Sequence, residues 1–142
     1  MAINTRTEYA LRALIEMVDK REEAISAREI CQRQELPKKY VEHLLSGLKG
    51  AGLITSSPGS HGGYVLAVKP SDINIATVMD AVGDNSLDPA CTGGKDSFCL
   101  GSPCGLSSVF NKLSKDLRKV LSSYTLEDFH AGYTKQASKG KK

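Results

Sequence analysis

Residues 37–68 read PKKYVEHLLSGLKGAGLITSSPGSHGGYVLAV, and this stretch decides the fold. Val41, Leu44, Leu45 and Leu48 recur at helical spacing, which predicts an amphipathic helix with one buried stripe. Pro37 suits its first turn, where a missing N–H costs nothing, and Gly50 and Gly52 stop it. The opposite face carries Lys38, Lys39, Glu42, His43, Ser46 and Lys49. Two β-prone runs follow, Leu53–Ser56 and Tyr64–Val68. Between them lies the turn-rich segment Ser57–Gly63, so a hairpin is expected.

The flanking sequence extends this pattern on both sides. Upstream, Thr5–Glu8 and Ser26–Glu29 each fit a capping box, in which a hydroxyl and a carboxylate satisfy orphan amides at a helix start. The first box opens a helix with Ala10, Leu11, Leu14, Ile15 and Val18 on one side, running to about Lys20. The second opens a short helix with Ile30 and Cys31 inward, ending near Gln34. Three helices and a hairpin within residues 1–70 is the order of a winged helix-turn-helix. Downstream, a helix is expected over about residues 71–82, ended by Gly83, and then an irregular loop. Ser102–Pro103 is a good helix start. Leu106, Phe110, Leu113, Leu117, Val120 and Tyr124 then recur at spacings 4, 3, 4, 3, 4, a heptad seam. A small domain leaves such a stripe without a partner, and a symmetric homodimer supplies one economically. The expected fold is mainly α with a small β-hairpin. A winged helix-turn-helix spans 1–70. A linker helix, a cysteine-rich loop (84–104) and a dimerisation helix (103–124) fill 71–133. A short helix opens at Thr125, and residues 134–142 read as a disordered basic tail.

Composition excludes several classes. In 142 residues, 40% are hydrophobic and 25% charged, enough for a packed core and too apolar for bulk disorder. No run of 18 apolar residues occurs and the N-terminus lacks a signal-peptide pattern, so the cytosol and no membrane partner are expected. The net charge of +3 is too small to prove a nucleic-acid partner. It is unevenly spread: residues 1–60 carry nine bases and eight acids, 61–109 two and five, 110–142 eight and three.

DNA reading would therefore depend on where individual charges are placed. A major groove admits one helix, whose N-terminal side chains reach base edges. Lys38, Lys39, Glu42, His43, Ser46 and Lys49 are suitable types, although a solvated helix face has the same composition. The turn containing Ser60, His61 and Gly62 fits a minor groove or phosphates, or else is a plain hairpin loop. Arg6 and Arg12 on the first helix suit phosphates, or are ordinary surface charges.

Cys91-x7-Cys99-x4-Cys104 is the strongest site signal. Three thiols in one polar loop suit a soft metal or an iron–sulfur cluster, with a fourth ligand from elsewhere. A metal-free regulator of the same fold that answers to thiol oxidation or a small molecule, and three incidental cysteines, are the alternatives. Cys31 reads as core, and His61 and His130 read as surface residues. A small iron–sulfur electron carrier or thiol oxidoreductase would use the same cysteines but leaves the hairpin unexplained.

Taken together, Thr7–Leu14 (TEYALRAL), Tyr40–Leu45 (YVEHLL), Ala51–Ile54, the wing Gly62–Leu66, the cysteine loop and Thr125–Phe129 resemble the Rrf-two family of bacterial winged-helix regulators, the group of IscR, NsrR and RirA. The resemblance covers residues 1–133. It implies a homodimeric, sequence-specific transcription regulator of double-stranded operator DNA, not an enzyme. It implies a [2Fe–2S] or [4Fe–4S] cluster on Cys91, Cys99 and Cys104, with Glu42 and His43 as the base-contacting pair. Ser107 stands where IscR has a histidine, which argues against that ligand set. Glu8 matches the acidic residue that completes the NsrR set from the other subunit, and the Cys104-Gly-Leu-x-Ser run resembles RirA. Pro58 stands where family members often place arginine, which puts minor-groove reading in doubt. Cluster state would order loop 84–104 and set the register of the recognition helices on two half-sites.

Overall fold

The computed structural model describes residues 3–20, 22–88 and 105–140. The elements are α1 (Thr5–Lys20), α2 (Ala27–Gln34), α3 (Lys38–Gly50), β1 (Ile54–Ser57), β2 (Gly63–Leu66), a 3₁₀ turn (Pro70–Asp72), α4 (Ile75–Ala81), α5 (Gly105–Ser122) and α6 (Leu126–Lys139). Among the described residues this is a mainly helical fold with one antiparallel hairpin, as the sequence predicts.

The three N-terminal helices meet through their apolar stripes. Leu14 and Met17 of α1, Ile30 of α2 and Val41, Leu44, Leu45 and Leu48 of α3 are fully buried, together with Ile73, Ile75, Val78 and Met79 from the α4 region. Burial of each such side chain stabilises by about 1.5–3 kcal/mol before entropy is counted. The hairpin pairs Ile54 with Leu66 and Ser57 with Gly63. Ile25, in the α1–α2 link, adds a bridge to Tyr64, with Tyr64 N–H to Ile25 O at 2.8 Å and Ile25 N–H to Tyr64 O at 3.0 Å. Gly63 permits this approach, because a Cβ there would lie 2.4 Å from the Ile25 carbonyl.

The helix starts depart from expectation in instructive ways. Asn4, not Thr5, caps α1: its Oδ1 accepts from the amides of Arg6 (2.9 Å) and Thr7 (3.4 Å). Asn ranks at the top of N-cap preferences and Thr below it, so the cap forms one residue earlier. The Thr5–Glu8 box is thus replaced, and the Glu8 carboxylate is left exposed. Ser26 does cap α2, accepting from Glu29 N–H at 3.1 Å, while the Glu29 carboxylate turns to Lys20 and Arg33. Pro37 sits at the N-cap of α3 rather than inside its first turn.

The helix expected over 71–82 is split. Ile73 is extended and accepts from Leu126 N–H at 2.8 Å, while Ile75 N–H donates to Tyr124 O at 3.0 Å. This bridge pins the α5–α6 corner, and Asn74 then caps a shorter α4. The tail predicted to be disordered from residue 134 is helical to Lys139. A full Thr125–Asp128 capping box opens α6, and Tyr133 accepts from Gln34 Nε2 at 3.3 Å. Cys91, Cys99, Cys104 and the expected start of α5 at Ser102–Pro103 lie outside the described residues.

Gly47 lets α4 approach α3. A Cβ there would lie 2.4 Å from the backbone oxygen of Ala81. Gly47→Ala is expected to destabilise the fold by about 1–3 kcal/mol, since two packed backbones must separate. Urea denaturation checks this; an unchanged midpoint would show that the two helices separate freely.

Candidate nucleic-acid interface

α3 presents one polar face. Lys38, Lys39, Glu42, His43, Ser46 and Lys49 are all exposed while the intervening Val41, Leu44, Leu45 and Leu48 are buried. The periodicity of α3 thus delivers every predicted reading residue to solvent on one side. Lys38 and Glu42 approach to 3.8 Å, a solvated pair that is weak in water and free to re-partner. Lys49 Nζ donates to Ser56 Oγ at 2.8 Å, tying the end of α3 to the first wing strand.

The wing tip lies beside the start of α2. Ser60, His61 and Gly62 line a crevice of about 560 Å³ together with Lys20, Ser26 and Glu29. Gly59, at φ 108°, makes the turn, and Gly62 N–H closes it on Gly59 O at 3.0 Å. The arrangement places Ser60 and His61 of the wing next to Lys20 and the α2 N-terminus, with the Glu23 and Glu29 carboxylates in the same crevice.

Two arginines read as phosphate contacts are engaged within the chain. Arg12 donates Nε to Gln34 Oε1 (3.0 Å) and Nη2 to Gln34 O (2.8 Å), capping the end of α2. Arg6 donates Nη1 to Gly83 O at 3.1 Å. Around Arg12 a buried network was not legible in sequence: Glu16 accepts from Gln34 Nε2 and pairs with Arg33 at 3.3 Å. His130, read as a surface residue, is half-buried and bonded to Asp19 at 2.5 Å. Cys31 is partly buried against the core. Burial pushes its thiol upward, aided by Glu42 and opposed by Lys38, as befits an unreactive cysteine.

Glu8 stands exposed on the first turn of α1, 3.9 Å from Arg12. Among the described residues, no group of three or more His, Cys, Asp or Glu side chains is placed to hold a metal ion. The root of the cysteine segment is well fixed. Asp84 is buried, and its Oδ2 accepts from the Thr7 hydroxyl and from Asn4 N–H (3.3 Å), while Oδ1 accepts from Ser86 N–H (3.0 Å). On the far side, Ser114 of α5 bonds the Leu87 carbonyl, and Arg118 forms two 2.8 Å bonds with Asp80.

Burial pushes the Asp84 carboxyl up, but hydrogen bonds from Ser86, Thr7 and Asn4 outweigh it and hold the group below its ordinary value of 3.8. A carboxyl whose folded pKa is lowered stabilises fully above its unfolded pKa, and that contribution fades as pH falls through the folded value. Asp84→Asn is therefore expected to cost about 1–3 kcal/mol at neutral pH. The gap to the wild-type protein should close in acid, below the ordinary carboxyl range. Urea midpoints across pH 2–7 check this; a gap independent of pH would contradict it.

Three stacked helices, an exposed reading face on the third and a hairpin wing define a winged helix-turn-helix DNA-binding protein. The family model described as Rrf2, iron-dependent transcriptional regulator, matches residues 3–132. The chain is 32% identical over 129 residues to protein Rrf2 of Nitratidesulfovibrio vulgaris, covering 90% of this chain and 86% of that protein. It is 31% identical to the transcriptional regulator IscR of Aliivibrio salmonicida, covering 89% and 75%. Among solved structures, T. potens IscR superposes with TM-score 0.69 at 27% identity, covering 99% of this chain and 90% of that one. CymR, the global cysteine regulator of B. subtilis, superposes with TM-score 0.68 at 28% identity, covering 91% and 95%. The chain belongs to the Rrf2 family: it is a DNA-binding transcriptional regulator and not an enzyme. No helix among the described residues is long and apolar enough to cross a membrane.

Proposed function

We propose that the chain acts in the bacterial cytoplasm as a homodimer on a two-fold operator, with affinity set by an iron–sulfur cluster on Cys91, Cys99 and Cys104. The carrying observation is the donor set: three thiols within residues 91–104, in a chain whose family is iron-dependent. Soft thiolates suit iron–sulfur chemistry, and three of them leave one coordination position for a further ligand. Glu8 of the partner subunit would fill it; the exposed carboxylate, freed from any capping box, supports that role. When bound, the cluster supplies a redox- and nitric-oxide-sensitive centre whose loss signals the iron state. The chain's own residues do the rest. Lys38, Lys39, Glu42, His43, Ser46 and Lys49 face the major groove, while Ser60, His61 and Gly62 lie along the backbone. The α5 helices hold two such faces at a fixed spacing. Anaerobic purification with iron and sulfide measured per chain tests this reading; absence of both overturns it.

The similarity to CymR, whose Staphylococcus aureus form has been solved in an oxidized state, supports a second reading. In it the same cysteines sense oxidation without metal. Iron content separates the two.

His43→Ala and Glu42→Ala are each expected to weaken operator binding. A lost base contact costs about 1–3 kcal/mol, repeated in two half-sites. Affinity for a scrambled duplex should stay unchanged. Fluorescence anisotropy on both duplexes checks this; equal losses on the two would show phosphate contacts instead.

A further inference from the structure

Arg6 lies at the junction of three elements. It shares a crevice of about 360 Å³ with His43, Ser46 and Gly47 of α3 and with Ala81 and Gly83 at the end of α4. Gly47 carries no side chain, so the Ala81 carbonyl seats against the α3 backbone. Gly83, at φ 66°, turns the chain, and its carbonyl accepts from Arg6 Nη1 at 3.1 Å. The next residue, Asp84, is buried and accepts from Thr7, the neighbour of Arg6 on α1. Two successive residues of α1 therefore grip two successive residues at the root of the cysteine segment, and the grip lies beside a predicted base-reading side chain.

We propose that Arg6 is a positioning residue that ties residues 83–84 to the reading face of α3, rather than a phosphate contact. Residues 83–84 are held by α1 on one side, and Ala81 seats on α3 on the other. A displacement of residues 83–84 is thereby passed to the first turn of α1 and to the α3–α4 seat, where His43 lies. The inference rests on the DNA-binding reading of α3 and gives the response to iron a route of named contacts.

The test uses the full chain and the variant R6A, with R6K as the conservative control. Operator affinity is measured against salt for iron-loaded and iron-free protein, and amide exchange is followed in the iron-free form. Allosteric couplings are typically about 5–150-fold. In R6A the ratio of loaded to free affinity is expected to fall to about 2-fold or less, with partial recovery in R6K. The salt dependence should keep its wild-type slope. Exchange should quicken together in residues 44–50 and 78–84. The proposal is overturned if R6A lowers the log–log salt slope by about 2 with equal loss in both forms, as two lost phosphate contacts per dimer would give. Unchanged exchange in both segments overturns it as well. If the wild-type protein shows no iron response, the functional reading fails, and the exchange result still decides the tie.

Discussion

Glutamate at both Leu113 and Leu117 is expected to yield a folded monomer whose operator affinity is about 10²–10⁴-fold lower. These two side chains belong to an α5 stripe that the single chain leaves bare: Leu106 is 61% exposed, Leu113 51% and Val120 56%, with Val109, Phe110, Leu117 and Tyr124 beside them. A contiguous apolar stripe of this kind marks a protein interface, and the heptad spacing fits a helix of a second copy. None of the stripe residues lies in the buried core, so charge there spares the fold. α5 also keeps its own anchors, the Arg118–Asp80 pair and the Ser114–Leu87 bond. Splitting the proposed dimer would remove the effective concentration of the second reading head, which for tethered modules is worth about 10²–10⁴. Light scattering and operator anisotropy check the outcome; a variant that remains dimeric would move the interface elsewhere.

Cys104→Ser is expected to reduce iron and sulfide to background and to fix operator affinity at the iron-free value. A hydroxyl is a poor ligand for iron where a thiolate is required, so one lost thiol would remove the proposed cluster rather than weaken it. Cys31→Ser is the internal control. Its thiol is partly buried, raised by its surroundings and packed against the core, so iron content and DNA response should both persist. Iron retained in the Cys104 variant and lost in the Cys31 variant would reverse the assignment of the thiols.

The reading helix was legible because local periodicity and burial agree there: every apolar residue of its stripe is buried and every polar one exposed. The wing was legible because turn residues cluster between β-prone runs. Long-range ties left no trace in sequence. Asp84 and Thr7 are 77 positions apart, and neither type announces a partner. Gly47 carries no signal in the sequence, and its role appears only where the Ala81 carbonyl seats against it. Arg6 and Arg12 read as basic surface because composition cannot distinguish a guanidinium that meets phosphate from one that meets a backbone carbonyl. The split between the 3₁₀ turn and α4 was hidden for the same reason, since the bridge from Ile73 to Leu126 overrides local helix preference. The tail failed in the opposite direction: its lack of apolar pattern suggested disorder, yet a strong cap at Thr125 carries the helix to Lys139.

The central claim is that iron on the cysteine segment sets DNA affinity. The measurement that bears on it most closely is operator affinity of anaerobically prepared protein at one fixed salt concentration, before and after iron is removed and again after it is restored. Couplings of this type give a change of about 5–150-fold. The account predicts a change of that order, reversed on reconstitution and absent in Cys104→Ser. Identical affinities in all three states, with iron and sulfide verified in the first and third, would contradict it.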